Sequence, residues 1–154
     1  MKKILGLLLS GVLFAEDVAT TYGIGLGQLY NGIGVNIASH NSSSMKNFAI
    51  GCIEVDYSSY SGVNTNCGVS VSYVSTSILS NNNNHHGLGI SLGVVNDSDV
   101  GVVSGTIGIG YTYFFNEISN TGWNFGFTPT FIFPTDTDKK DNEFGLLLNL
   151  GYQF

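Results

Sequence analysis

The last eleven residues, Phe144-Gly-Leu-Leu-Leu-Asn-Leu-Gly-Tyr-Gln-Phe154, constrain the fold more than any other stretch of the chain. At a period of two, one face collects Phe144, Leu146, Leu148, Leu150, Tyr152 and Phe154, and the other Gly145, Leu147, Asn149, Gly151 and Gln153. Successive side chains of a strand point to opposite faces. One side of this strand is therefore wholly apolar, and the other is mostly small or polar. The length matches the roughly 9–11 residues that a tilted strand needs to cross a bilayer.

An alternating apolar strand that closes on Phe154 resembles the C-terminal strand of bacterial outer-membrane β-barrels. At this chain length the comparison is with the OmpA transmembrane-domain and OmpX class. The resemblance implies an all-β fold, an eight-stranded antiparallel transmembrane up-and-down barrel preceded by a cleavable signal peptide. It also implies reading of the last strand by the barrel-assembly machinery, lipid and lipopolysaccharide as surroundings, a monomer, and no cofactor. The start of the chain agrees: Met1-Lys2-Lys3, an apolar run Ile4–Phe14, then Ala15-Glu16-Asp17. A short basic start, about 7–15 apolar residues and a small residue at their end describe a secretory signal. The run is too short for a spanning helix of about 20 residues. Cleavage after Ala15 gives a signal peptide over 1–15 and a single barrel domain over 16–154. Leu13 stands where a small residue is preferred, and no Cys follows Ala15 to take a lipid anchor.

Charge is scarce, at 10% of residues, and Arg is absent. Past Ala15 three lysines, Lys46, Lys139 and Lys140, face eleven carboxylates. A nucleic-acid partner requires a basic face that displaces phosphate counterions, and this composition excludes one. A secreted β-sandwich would share the alternation, but the polar face of a sandwich meets water and usually carries Lys, Glu and Arg. Here the minor face is Gly, Ser, Thr and Asn, which favours a barrel in lipid.

Eight alternating segments are predicted: 20–29, 31–39, 47–56, 67–77, 87–95, 100–115, 122–133 and 144–154. In lipid a sheet must close so that no backbone edge is left unpaired. Aromatic residues of such barrels collect at the two interfaces. With the N-terminus in the periplasm and strands alternating, Tyr22, Tyr73, Tyr111, Tyr113, Trp123, Phe125, Tyr152 and Phe154 form a lower girdle. Phe131, Phe133 and Phe144 form part of an upper one. Two features fit poorly. The outer connection near Leu29–Asn31 is tight, and the polar run Ser80–His86 falls on the periplasmic side, where turns are usually short. Pro129 also interrupts a strand, although Pro cannot donate to a ladder.

The same phase turns Gly23, Gly25, Gly27, Gly32, Gly34, Gly87, Gly89, Gly108, Gly110, Thr128, Thr130 and Asn149 into the lumen. An eight-stranded barrel is just wide enough for side chains to fill. So many glycines imply either larger residues packed into the gaps or space for water or a slim ligand. These readings predict different proteins: a non-enzymatic structural or surface-contact barrel, or a narrow pore for small or apolar solutes. Barrels of the OmpA and OmpX class hold their lumens with inward salt bridges. Here only Glu54 and Asp56 read as inward acids, so small polar hydrogen bonds must serve instead.

Four further constellations carry possible chemistry. The loop from Pro134 to Glu143 holds Asp136, Asp138, Asp141 and Glu143, but departs from an EF-hand and lacks its turn Gly; it reads first as a solvated charged loop. His85-His86 point to opposite faces of an extended chain and read as a polar turn, with no metal. His40-x-Ser42 with Glu54 twelve residues on from Ser42 is similar to the His-x-Ser pair of outer-membrane lipid A deacylases. There His is the base to a Ser nucleophile, which makes an acyl hydrolase the third reading, although Ser43 stands where that family has Asn. Finally, Cys52 and Cys67 in an exported chain suggest one disulfide. Simple alternation sets them on opposite faces, so a bulge is required to join them.

Overall fold

The structure, a computed structural model, describes residues 19–58, 62–79, 84–98, 101–136 and 141–154, with the backbone alone at 54–58 and 62–64. The expected signal peptide, residues 80–83 of the polar run, Asp138 and the lysines 139 and 140 lie outside the described residues, as do the side chains of Glu54 and Asp56.

Eight strands close into one antiparallel barrel in sequence order. They are β1 (Ala19–Leu26), β2 (Ile33–His40), β3 (Ser44–Ser58), β4 (Gly62–Ser75), β5 (His86–Asp97), β6 (Val102–Phe114), β7 (Gly122–Pro134) and β8 (Glu143–Gln153). Each pairs with its neighbours in the chain, and β1 pairs with β8 to close the ring. The period-two rhythm therefore locates all eight strands. No helix among the described residues is long and apolar enough to cross a membrane, which says nothing about strands.

The alternation sorts residues by chemistry, with the apolar set outside. Along β7, Trp123, Phe125, Phe127, Phe131 and Phe133 are exposed, while Asn124, Thr128 and Thr130 are buried. Along β8, Leu146, Leu148 and Leu150 are exposed, and Asn149 and Gln153 are buried. Pro129 is accommodated by a lapse in one ladder: it pairs with Leu146 of β8, but the β6–β7 pairing skips from Gly108–Thr130 to Tyr111–Phe127. The missing N–H is thus placed where no ladder bond is made.

The end of the barrel that carries connections 27–32, 59–61, 98–101 and 135–142 is called upper, and the end that carries 41–43, 76–85 and 115–121 lower. The first two strands are short. β1 meets β8 only from Gly23–Gln153 to Leu26–Leu150, and β2 meets β3 no higher than Ile33–Cys52. Above that level, the described pairings of β8 are with β7 and those of β3 with β4. The lower lumen is sealed by an apolar cluster that includes Ala38, Met45, Val74, Phe114 and Ile118.

Two expectations are corrected here. The segments 20–29 and 31–39 overrun their strands, because Gln28–Tyr30 form a single 3-10 turn. Gly27 and Gly32 flank that turn with φ of 92° and 89°; they are buried turn residues and not strand residues with a face. Positive φ is the region that glycine enters at little cost, which is why this connection opens and closes on Gly.

Cys52 and Cys67 are direct cross-strand partners and form a disulfide. The required bulge is present, as a register shift between Cys52 and Glu54. It leaves Ile53 out of the ladder, so Cys52 keeps the phase of exposed Ile50 and stands directly opposite Cys67. Iodoacetamide is therefore expected to leave the mass of the non-reduced protein unchanged and to add two labels only after reduction. Two labels without reductant would remove the bridge.

Candidate functional site

The tight connection that looked anomalous in the sequence is the central feature of the molecule. Gln28, Leu29, Tyr30 and Asn31 are all buried, Tyr30 completely. The β1–β2 turn folds inward and lies across the lumen, instead of projecting from the rim.

The wall receives it group by group. The Leu29 carbonyl accepts hydrogen bonds from Asn36 Nδ2 at 3.1 Å and Asn47 Nδ2 at 2.6 Å. The Gln28 backbone N–H donates to Asn149 Oδ1 at 2.5 Å, and Asn149 Nδ2 in turn donates to Thr128 Oγ1 at 3.0 Å. Asn31 Nδ2 donates to the Gly51 carbonyl. Asn124 Nδ2 donates to the Tyr30 hydroxyl at 2.7 Å. A turn carries backbone groups that no ladder satisfies, and buried ones must find partners; here carboxamides of the wall supply them.

The inward glycines explain how the turn fits. A Cβ at Gly151 would overlap the Tyr30 ring, and one at Gly25 would overlap that ring and β8 backbone. A Cβ at Gly34 or Gly51 would overlap the Tyr30 carbonyl. Sequence reasoning left filled and open lumens as alternatives. At the level of the turn the lumen is filled, and beside Gln28 and Leu29 a void of about 10 Å³ remains, room for about one water. Above the turn a larger cavity of about 310 Å³ opens.

Of the other residues assigned to the lumen, Gly23, Gly87 and Gly108 are buried, Gly25, Gly34, Gly89 and Gly110 half-buried, and Thr128, Thr130 and Asn149 buried. The aromatic residues assigned to the girdles stand on the outer face. At the lower end, ring contacts join Trp123 to Tyr152 at 5.3 Å, Tyr152 to Phe154 at 5.0 Å and Tyr111 to Phe127 at 5.7 Å. Phe131 and Phe133 stack towards the upper end. His86 lies against this lower set, its Nδ1 2.7 Å from the Tyr111 hydroxyl.

The hydrolase constellation is not assembled. His40 is buried at the lower end of β2, whereas Ser42 is exposed in the turn that follows. His40 pairs with Met45, and Glu54 lies nine residues further up β3, a run of about 30 Å at ~3.3 Å per residue. Among the described residues no group of three or more His, Cys, Asp or Glu could hold a metal ion.

Two structural features escape the sequence reading. The sequence reads Tyr30 as part of a connection, although Gln28 already breaks the outward apolar run Tyr22, Ile24, Leu26. Asp97 is not singled out by the sequence, and Glu143 is read there only as part of the acidic loop; both line the upper cavity, just beyond the ends of the segments 87–95 and 144–154. Comparison of the chain with family models, curated proteins and solved structures finds no match.

Proposed function

We propose that this chain is an integral β-barrel of a bacterial outer membrane, non-enzymatic, with a structural or surface-contact role and a lumen obstructed by its own first turn. One observation carries the reading. The barrel is apolar outside and, above its lower apolar cluster, largely polar within: Ile109, Leu148 and Phe144 are 65%, 63% and 76% exposed, while Asn124 and Thr130 are 0% and 2% exposed. Soluble monomers rarely expose apolar patches beyond a few hundred Å², and this stripe recurs on every strand whose outer face is described. A spanning barrel needs that inversion, because lipid meets its outer wall. The Phe-terminated strand, the basic-apolar start of the chain and the aromatic clusters towards the two ends support the same placement. Lipid and lipopolysaccharide are then its surroundings, and the barrel-assembly machinery its partner during insertion.

The inserted turn counts against the pore. A conducting lumen requires a continuous wet path, whereas here Tyr30 and Gln28 cross the lumen and the lower end is packed with aliphatic and aromatic side chains.

The test is direct. Unboiled protein is expected to run as a compact, faster band on a detergent gel and to shift on boiling. It is also expected to precipitate when detergent is withdrawn, and to give no conductance steps in a planar bilayer. Identical migration with retained solubility in plain buffer would remove the membrane reading. Discrete steps from the wild-type protein would remove the obstructed lumen.

A further inference from the structure

One row of residues interrupts the apolar outer wall near its lower end. Thr20 of β1 pairs with Ser39 of β2, Ser39 with Lys46 of β3, and Lys46 with Tyr73 of β4. Thr20, Lys46 and Tyr73 are exposed and Ser39 is half-buried, and all four share the outer phase of their strands. The row thus sets an ammonium between hydroxyl-bearing neighbours, on strands ~4.8 Å apart. It ends against Ile90 of β5. The next outward row up the wall, Tyr22, Ile37, Phe48 and Val71, is aromatic and aliphatic, and the one after it is Ile24, Val35, Ile50 and Val69. Below lie Ser44 and the turn over residues 41–43. The polar row therefore stands at the foot of the apolar surface on this side of the barrel.

Among the described strand side chains, Lys46 is the one formal charge in the outer phase. The described carboxylates lie elsewhere: Asp97, Asp136, Asp141 and Glu143 towards the upper end, and Glu117 in the connection between β6 and β7. Tyrosine at a membrane boundary sits at headgroup level, and a lysine lays its stem along apolar surface with its ammonium in the polar layer. Lys46 beside Tyr73 has that arrangement, with a hydroxyl-bearing residue on either side.

Resting on the membrane reading, we propose that this row seats the phosphate of an anionic glycerophospholipid in the leaflet at the lower end. Lys46 supplies the charge, and the hydroxyls of Ser39 and Tyr73 supply donors to the remaining phosphate oxygens. An ammonium has three donors and no acceptor, and lysine binds phosphate as a point charge. The headgroup class follows from the charge balance of the row. A zwitterionic lipid brings its own cation beside the phosphate, and no carboxylate in the row receives it. A headgroup with a net negative charge meets Lys46 with no such unmatched group.

The experiment is native mass spectrometry of the folded barrel released from non-ionic micelles. The micelles hold phosphatidylglycerol and phosphatidylcholine with the same acyl chains in equal amounts. The first phosphatidylglycerol adduct is expected to be about fivefold more abundant than the first phosphatidylcholine adduct, the usual effect of one lysine at an anionic lipid surface. K46Q is expected to bring the two adducts to parity, and K46R, which keeps the charge, to retain the preference. S39A and Y73F are each expected to reduce it about twofold or more, as loss of a single hydrogen bond does. Each variant is first required to show the wild-type shift on boiling. The proposal is overturned by parity in the wild-type protein, by a preference that survives K46Q, or by K46R behaving as K46Q. A preference unchanged in both S39A and Y73F also overturns it, because a point charge alone would then suffice. Uptake of both lipids without preference removes this proposal and leaves the membrane reading standing; uptake of neither lipid removes both.

Discussion

Tyr30→Ala is expected to destabilise the barrel by about 3–5 kcal/mol, the usual cost of truncating a buried aromatic side chain. Tyr30 is fully buried, and its hydroxyl accepts the Asn124 hydrogen bond at 2.7 Å. The ring is seated against Gly25 and Gly151, which have no side chain to move into the void. Truncation leaves the buried Asn124 amide without this partner. Tyr30→Phe keeps the ring and is expected to lose only about 1–3 kcal/mol, the cost of the unmatched amide. It should stay silent in a bilayer. The fit between ring and wall can be measured separately. At Gly151 the three nearest obstacles to a Cβ are all atoms of the Tyr30 ring and hydroxyl, so Gly151→Ala alone should cost about 1–3 kcal/mol through overpacking. Combined with Tyr30→Ala it should cost little more than Tyr30→Ala, because residues in direct contact do not add. Equilibrium denaturation followed by Trp123 fluorescence reads all four proteins. A Tyr30→Ala loss below about 1 kcal/mol, together with additive behaviour of the pair, would show that the turn is not seated in the wall.

The strands were legible because lipid-facing and lumen-facing positions differ in hydropathy, and Phe144–Phe154 shows that difference without a break. The turn was hard to read for the same reason. Around the turn the wall is mostly Gly, Ser, Thr and Asn, so hydropathy does not mark which residues pack against one another there. The glycine alternation through Gly23, Gly25 and Gly27 also runs without interruption from strand into turn. Two local signals were available: Gln28 at an outward phase, and Asn31-Gly32, a turn dipeptide, in which Asn31 takes the left-handed conformation at φ 54°. Neither says that the turn points inward. That outcome depends on Asn36 of β2 together with Asn47 of β3 and Asn149 of β8, a convergence that the closed ring creates. The bulge at Ile53 was demanded by the disulfide and by nothing in the alternation itself. Asp97 and Glu143 lay at segment ends, where period-two reading is least sharp.

Leu148→Lys is expected to cost about 2–4 kcal/mol if the outer stripe of β8 meets hydrocarbon, the depth-dependent penalty for a cation near a bilayer midplane. In water the same change belongs with surface substitutions that stay within about ±0.5 kcal/mol, because Leu148 is already 63% exposed. The two solvents therefore predict different magnitudes from one variant. The strand also supplies its own controls. Phe144 and Tyr152 share the outer phase four residues to either side of Leu148. At ~3.4 Å per residue and a tilt of roughly 40°, the eight residues between them rise about 20 Å, most of an apolar band ~25 Å tall. Lysine at either end can extend to the interface, so Phe144→Lys and Tyr152→Lys should lose no more than about 1–2 kcal/mol. A cost that peaks at Leu148 and falls on both sides, measured by guanidinium titration of protein refolded into lipid vesicles, is the signature of a slab of hydrocarbon. Three small and equal costs would mean that the stripe faces water. The inverted polarity of the barrel would then need a protein partner rather than a membrane to cover it.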